Sequence, residues 1–209
     1  MSDDPLLTRW LRLWGRLGAK GDGEKVYADL VARYAEPQRA YHTLAHVAEC
    51  LTTLDGARHL AVYPDEVELA AWFHDAIYDP HREDNEAQSA ELARRTALDA
   101  DVRRASAKRV YHLILATRHR ALPTDPDQQL LVDIDLAGLA LPWDEFEANG
   151  RRIRQEYAHV PERAFRAARA AALGRFLRRP HIYATAFFRE RCEARSRANL
   201  TRRIPELRR

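Results

Sequence analysis

The chain is poor in sulfur, in lysine and in long apolar runs. Its 209 residues include two cysteines, Cys50 and Cys192, and one methionine. The cysteines stand 142 positions apart and neither belongs to a C-x-x-C pair. That excludes a disulfide scaffold and fits two ordinary reduced thiols in a cytoplasmic protein. Lysine occurs only at 20, 25 and 108, so nearly all positive charge is arginine. No uncharged apolar stretch approaches the roughly 18 residues that a membrane span requires. The start, Met1-Ser2-Asp3-Asp4-Pro5, is acidic and carries no basic region leading into an apolar one, so no secretory signal is expected. Strand-like alternation is missing and β-branched residues are sparse. Collagen-like and low-complexity compositions are excluded as well.

What is present is a chain with 46% hydrophobic and 31% charged residues, long enough to bury a sizeable core. The formal charge of +3 hides an asymmetry. Residues 1–150 hold 17 basic and 26 acidic side chains, whereas residues 151–209 hold 17 basic and 5 acidic. A basic segment of this kind either attracts an anionic ligand or pairs with the acidic body. Some of its arginines are expected to fold back on that body.

Apolar residues recur at helical spacing almost throughout, which predicts an all-α chain of nine or ten helices in one domain. Asp65, after Pro64 and three residues before Glu68, reads as a capping box. Asp125, followed by Pro126 and Gln128, reads as another start, and Pro142 is expected to close that helix. Pro161 opens a helix through about Arg178, stopped at Pro180. A last helix is expected from Phe187 to Ile204.

Three segments carry chemistry. Val67–Tyr78 is apolar nearly all round, so it is read as a buried helix with His74 and Asp75 in it or at its end. A buried carboxylate is costly unless it is paired, hydrogen-bonded or bound to a cation. In Leu130–Leu136, Asp133 and Asp135 interrupt an aliphatic run. On a helix they point about 200° apart, so they cannot share one partner. In Tyr41–Val47, His42 and His46 are four apart and share a face if the helix begins by residue 42. Periodicity alone puts that face toward solvent, opposite a stripe of Leu44, Val47, Ala48, Leu51 and Leu54. Taken together, His46, the doublet His74-Asp75 and an Asp at 133 or 135 form an ordered set of two imidazoles and two carboxylates. Such a nitrogen and oxygen set suits Mn²⁺, Mg²⁺, Fe or Zn²⁺ rather than a thiolate metal.

This order, His…His-Asp…Asp on a helical chain, resembles the HD-domain metal-dependent phosphohydrolases. The resemblance extends to a branch of predicted phosphohydrolases without an assigned substrate, through Tyr41–His46, Phe73–Asp79, Asp84–Ala90, Ala116–His119, Asp133–Leu136, Arg154–Tyr157 and Glu193–Leu200. It covers roughly residues 40 to 200. It implies a single HD-type helical domain over 1–209, with a core of roughly 25–140 and the arginine-rich helices of 150–204 packed on it. It further implies a divalent metal ion, with Mn, Mg, Fe, Zn, Co and Ni not distinguished. The implied ligands are His46, His74, Asp75 and Asp135, with Asp133 the alternative to Asp135. Asp75 and Glu86 are the expected catalytic carboxylates. Arg118, His119 and His42 are the expected substrate-binding residues. Three have a plainer role beside this one: Glu86 as a first-turn helix carboxylate, His119 as a helix-end residue and His42 as a surface residue; His119 is alternatively a ligand of a second metal.

The implied activity is hydrolysis of a small anionic phosphate ester, a nucleotide by preference. The alternative is an HD-fold regulatory protein that binds metal and nucleotide without turnover. A third reading, an arginine-rich nucleic-acid-binding protein, lacks any recognition motif, so no nucleic-acid or membrane partner is expected.

Overall fold

In a computed structural model the described residues are 4–209, and the start Met1–Asp3 lies outside them. The chain is all-α, with no strand among the described residues. No helix among them is long and apolar enough to cross a membrane. It divides into two compact units, Met1–Leu131 and Val132–Arg209.

The first unit holds α1 (Pro5–Arg16), α2 (Gly23–Tyr34), α3 (Leu44–Ala57), α4 (Pro64–Phe73), α5 (Asn85–Asp99), α6 (Arg104–Ala116) and the start of α7 (Pro126–Asp135). Asp4 and Asp22 cap α1 and α2 by accepting from the backbone N–H groups of Leu6 and Lys25. Between these helices the chain turns through Gly18 and Gly21, whose φ values of 67° and 78° favour glycine. Gly23 then lies so close to α1 that a Cβ there would sit 2.9 Å from the Trp14 ring. Trp10 donates its indole N–H to the Gly23 carbonyl and meets Trp72 of α4 edge to face at 5.5 Å.

Helix α4 is the buried centre of this unit, with every residue from Glu66 to Phe73 buried. Two of those residues are glutamates, and burial demands that each be answered. Glu66 is held by both arms of Arg109 at 2.6 Å. Glu68, whose side chain is 2% exposed, accepts from Arg9, Arg16 and Arg58. The expected capping box at Asp65 does not form. Pro64 takes the first helical position after Tyr63, and the Asp65 carboxylate goes to Arg16 and Arg58 instead. Helices α5 and α6 are in contact, and their buried residues include the small Ala90, Ala93 and Ala97 on α5 and Ser106 and Ala107 on α6. Asp125 does start α7, accepting from the N–H groups of Asp127 and Gln128 at 3.0 Å.

The unit boundary falls within α7. The second unit continues through a 3₁₀ turn (Leu136–Ala140), α8 (Trp143–Glu156), α9 (Glu162–Leu177), the short α10 (Ala186–Phe188), a π turn (Arg189–Glu193) and α11 (Ala194–Arg208). Pro142 therefore precedes α8 rather than closing α7, which already ends at Asp135. Pro161 and Pro180 bracket α9 as expected. The last helix runs past Ile204 and Pro205 to Arg208, its end fixed by buried Leu207 and by Arg166, which donates to the carbonyls of Glu206 and Leu207. Other tail arginines also serve carbonyls at or just after helix ends. Arg197 reaches those of Leu177, Arg179 and Pro180, and Arg154 those of Tyr157 and Val160. Arg203 pairs with Glu147 at 3.2 Å, one realised contact between the basic segment and a residue of the acidic one.

Glu68→Ala should lower unfolding stability by about 3 kcal/mol, because three guanidinium groups lose one buried partner. Glu68→Gln, which keeps an acceptor, should cost clearly less. Urea denaturation compares the two, and equal stability of wild type and Glu68→Ala would contradict the assignment.

Candidate metal centre

The centre is built where the start of α3 meets the end of α4. Thr43 is extended at φ −110° and ψ 177° and forms the N-cap, so α3 begins at Leu44. His42 therefore lies outside the helix and does not share a face with His46. Its ring instead stacks on Tyr78 at 4.2 Å. His46, in the first turn, points inward and is 5% exposed. Cys50 follows one turn later on the same face, 3% exposed. The solvent-facing reading of His46 fails because the buried stripe of α3, running through Val47, Cys50, Leu51 and Leu54, is wide enough to include it.

Helix α4 ends at Phe73, and His74 is its C-cap residue. The Ala76 N–H bonds back to the Phe73 carbonyl at 2.9 Å, which turns the chain at the doublet. His74 Nδ1 lies 2.9 Å from the Ala71 carbonyl. A carbonyl only accepts, so Nδ1 donates there and Nε2 is the ring nitrogen turned to the centre. That Nε2 stands 3.3 Å from His46 Nε2. Asp75 Oδ2 lies 3.1 Å from His74 Nε2 and 3.8 Å from His46 Nε2. Cys50 Sγ is 3.7 Å from His46 Nε2. One donor atom each from His46, Cys50 and His74 falls within 4.8 Å of the others, a grouping able to hold a metal ion.

Two sets of contacts fix this geometry, and neither was anticipated from sequence. Arg39, whose side chain is fully buried, donates to the carbonyls of His42 at 2.9 Å, Asp75 at 2.7 Å and Ala76 at 3.1 Å. Its guanidinium also pairs with Glu36 and lies over the rings of Tyr34 and Tyr78. Tyr34, its phenol pushed well above the ordinary range by burial, donates to the Trp72 carbonyl at 2.9 Å. On the other side, Asn85 and Ser89 lie four apart on α5 and clamp the loop after the doublet. Ser89 Oγ accepts from the Ile77 N–H, and the Asn85 amide exchanges two hydrogen bonds with the Asp79 backbone. The Asp84–Ala90 segment thus positions the loop. Asp84 itself is held by Arg82, which draws its carboxyl down to about 2.

The other expected residues fall as follows. Glu86 Oε2 and Arg118 Nε are brought to 3.9 Å, a long ion pair at partly exposed positions. Arg118 and His119 lie beyond α6, which ends at Ala116. His119 adopts φ 53°, the left-handed conformation common after a helix C-terminus. Asp133 is fully buried, and both its oxygens are occupied. They accept from the N–H groups of Ala184 and Thr185 and from the Thr185 hydroxyl, each at 2.7 Å. Burial raises its pKa while these donors oppose the rise. These contacts hold the chain entering α10. Asp135 is the last residue of α7. Cys50 is the residue the motif reading missed, and its one sequence signal was the four-residue spacing from His46.

Compared with protein-family models, curated proteins and solved structures, the chain matches none.

Arg39→Lys should lower stability by about 2 to 4 kcal/mol, since an ammonium cannot serve three carbonyls at once and leaves buried acceptors unmade. It should also weaken cation binding, because the doublet loses its anchor to the residues before α3. Urea unfolding and metal titration read both effects. A lysine variant as stable as wild type would contradict the latch.

Proposed function

We propose that the chain is a metal-dependent phosphohydrolase acting on a small phosphate ester, with a nucleotide as the preferred class. The observation that carries this reading is the convergence of two imidazole Nε2 atoms 3.3 Å apart with the Asp75 carboxylate beside both. It is supported by the order of His46, His74-Asp75 and Asp135 in the chain, which resembles the HD pattern. His46, His74 and Asp75 would hold the cation, and Asp135 is proposed as the further ligand that the resemblance implies. With Asp133 engaged by the Ala184–Thr185 backbone, Asp135 is the stronger of the two candidates.

A bound divalent cation supplies a lowered pKa for water and polarisation of a phosphoryl oxygen. The protein's own groups supply orientation and countercharge. The Ala71 carbonyl holds His74 with Nε2 facing the centre. Asp75, whose side chain is 17% exposed, stands at the edge of the centre, where one carboxylate oxygen can accept a proton from attacking water. Arg118 would meet charge on the phosphoryl oxygens with its guanidinium fork, and Glu86 would steady it from 3.9 Å.

Purified protein should contain a divalent cation or take one up, and with it turn over members of a phosphate-ester panel. Asp75→Ala and His74→Ala should reduce turnover at least about a hundredfold. Arg118→Ala should lower kcat/KM about 10- to 100-fold through a lost charge-assisted contact. Asp135→Ala should lower metal content and Asp133→Ala should not. A wild type that takes up no cation and hydrolyses nothing would contradict the proposal. Uptake without turnover across the panel would favour the regulatory alternative.

A further inference from the structure

The thiol of Cys50 is the one group at the centre that the proposed reaction does not use. It is buried, and it shares the inner face of α3 with His46. We infer that Cys50 is a direct metal ligand, so that the centre selects a thiophilic cation such as Zn²⁺, Co²⁺ or Fe²⁺ over Mg²⁺ or Mn²⁺. The inference rests on the preceding reading for the presence of a cation and adds which donor atoms choose it.

Distances argue for this. Around a tetrahedral cation with metal–nitrogen bonds of about 2.0 Å and metal–sulfur bonds of about 2.3 Å, nitrogen–nitrogen edges are about 3.3 Å and nitrogen–sulfur edges about 3.5 Å. The corresponding separations are 3.3 Å between the two Nε2 atoms and 3.7 Å from Cys50 Sγ to His46 Nε2, with Sγ also 3.9 Å from His46 Nδ1 and so beside the ring. The three donors therefore lie within 4.8 Å of one another, close enough to share one ion once the His46 ring and the thiol turn toward it, on elements whose backbones are fixed by the α3 N-terminus and the Arg39 latch. Chemistry argues the same way. A thiolate is a soft donor, and in company with imidazoles it favours zinc-like ions, whereas Mg²⁺ and Mn²⁺ prefer oxygen. On ligation the S–H bond breaks, a sulfur–metal bond forms and the proton leaves to solvent. The thiolate then adds a further negative donor to the carboxylates that face the divalent ion. Sequence reading alone pointed to a nitrogen and oxygen site, and the inward turn of α3 adds the sulfur.

Co²⁺ titration of the full chain tests the inference, because thiolate-bound cobalt shows a charge-transfer band in the near ultraviolet that nitrogen and oxygen donors do not give. Wild type should develop this band together with visible cobalt bands. Cys50→Ala should lose the near-ultraviolet band and bind Co²⁺ at least about tenfold more weakly. Cys192→Ser, which alters the second thiol, should leave the spectrum unchanged. Visible cobalt bands without charge transfer in wild type, or charge transfer retained in Cys50→Ala, would overturn Cys50 as a ligand and leave the metal centre standing. Wild type that takes up no Co²⁺ would overturn both. The wild-type spectrum decides even if Cys50→Ala does not fold.

Discussion

A guanidinium buried without access to water reaches three main-chain carbonyls, those of His42, Asp75 and Ala76, and thereby joins the residues entering α3 to the turn leaving α4. Arginine is suited to this because its fork serves several acceptors in one plane, and because stacking on Tyr34 and Tyr78 covers its faces. The carbonyls it serves are otherwise awkward. They belong to a helix entry and a helix exit, where main-chain groups have no partner within the helix. One side chain satisfies them and sets the separation of His46 from His74 at the same time. Asn85 and Ser89 then pin the loop beyond the doublet from the opposite side. The candidate centre is thus held by neutral and positive groups acting on backbone, which leaves its donor side chains facing one another.

The same economy governs the other buried carboxylates. Glu66 and Glu68 in α4 are answered by arginines from other helices. Asp127 accepts from the N–H groups of Val62 and Tyr63. In the second unit Asp133 and Glu193 each accept from pairs of backbone N–H groups. At Asp127, Asp133 and Glu193 an acidic side chain replaces a missing secondary-structure partner. Asp75 differs, because its carboxylate lies against two imidazoles, the environment in which a cation is the natural third party.

The helical class was legible in the sequence because apolar spacing reports it directly. So were the limits of α9, since proline acts locally through its missing N–H and fixed φ. The capping box at Asp65 was misread because Pro64 and two arginines distant in sequence competed for the same residues. The direction of His46 was illegible for a related reason. It sits about 100° from Val47 on the helix, at the margin of the apolar stripe, and only packing decides on which side such a residue falls. The His74-Asp75 doublet was legible as a site because a carboxylate in so apolar a segment demands an explanation. Arg39, the residue that organises the centre, gave no signal, since nothing local distinguishes a latch from a surface arginine. Between Asp133 and Asp135, spacing showed only that their directions differ. The partners of Asp133 came from residues 184 and 185, some fifty positions away.

The central claim is that the centre is set for a cation by the protein's own hydrogen bonds. The most direct measurement is nitrogen-15 NMR of the imidazole side chains, recorded before and after Zn²⁺ is added. The account predicts that His74 is the Nδ1–H tautomer throughout, and that its Nε2 resonance and that of His46 shift on addition while the Nδ1–H signal persists. An Nε2–H tautomer at His74, or rings indifferent to the cation, would contradict it.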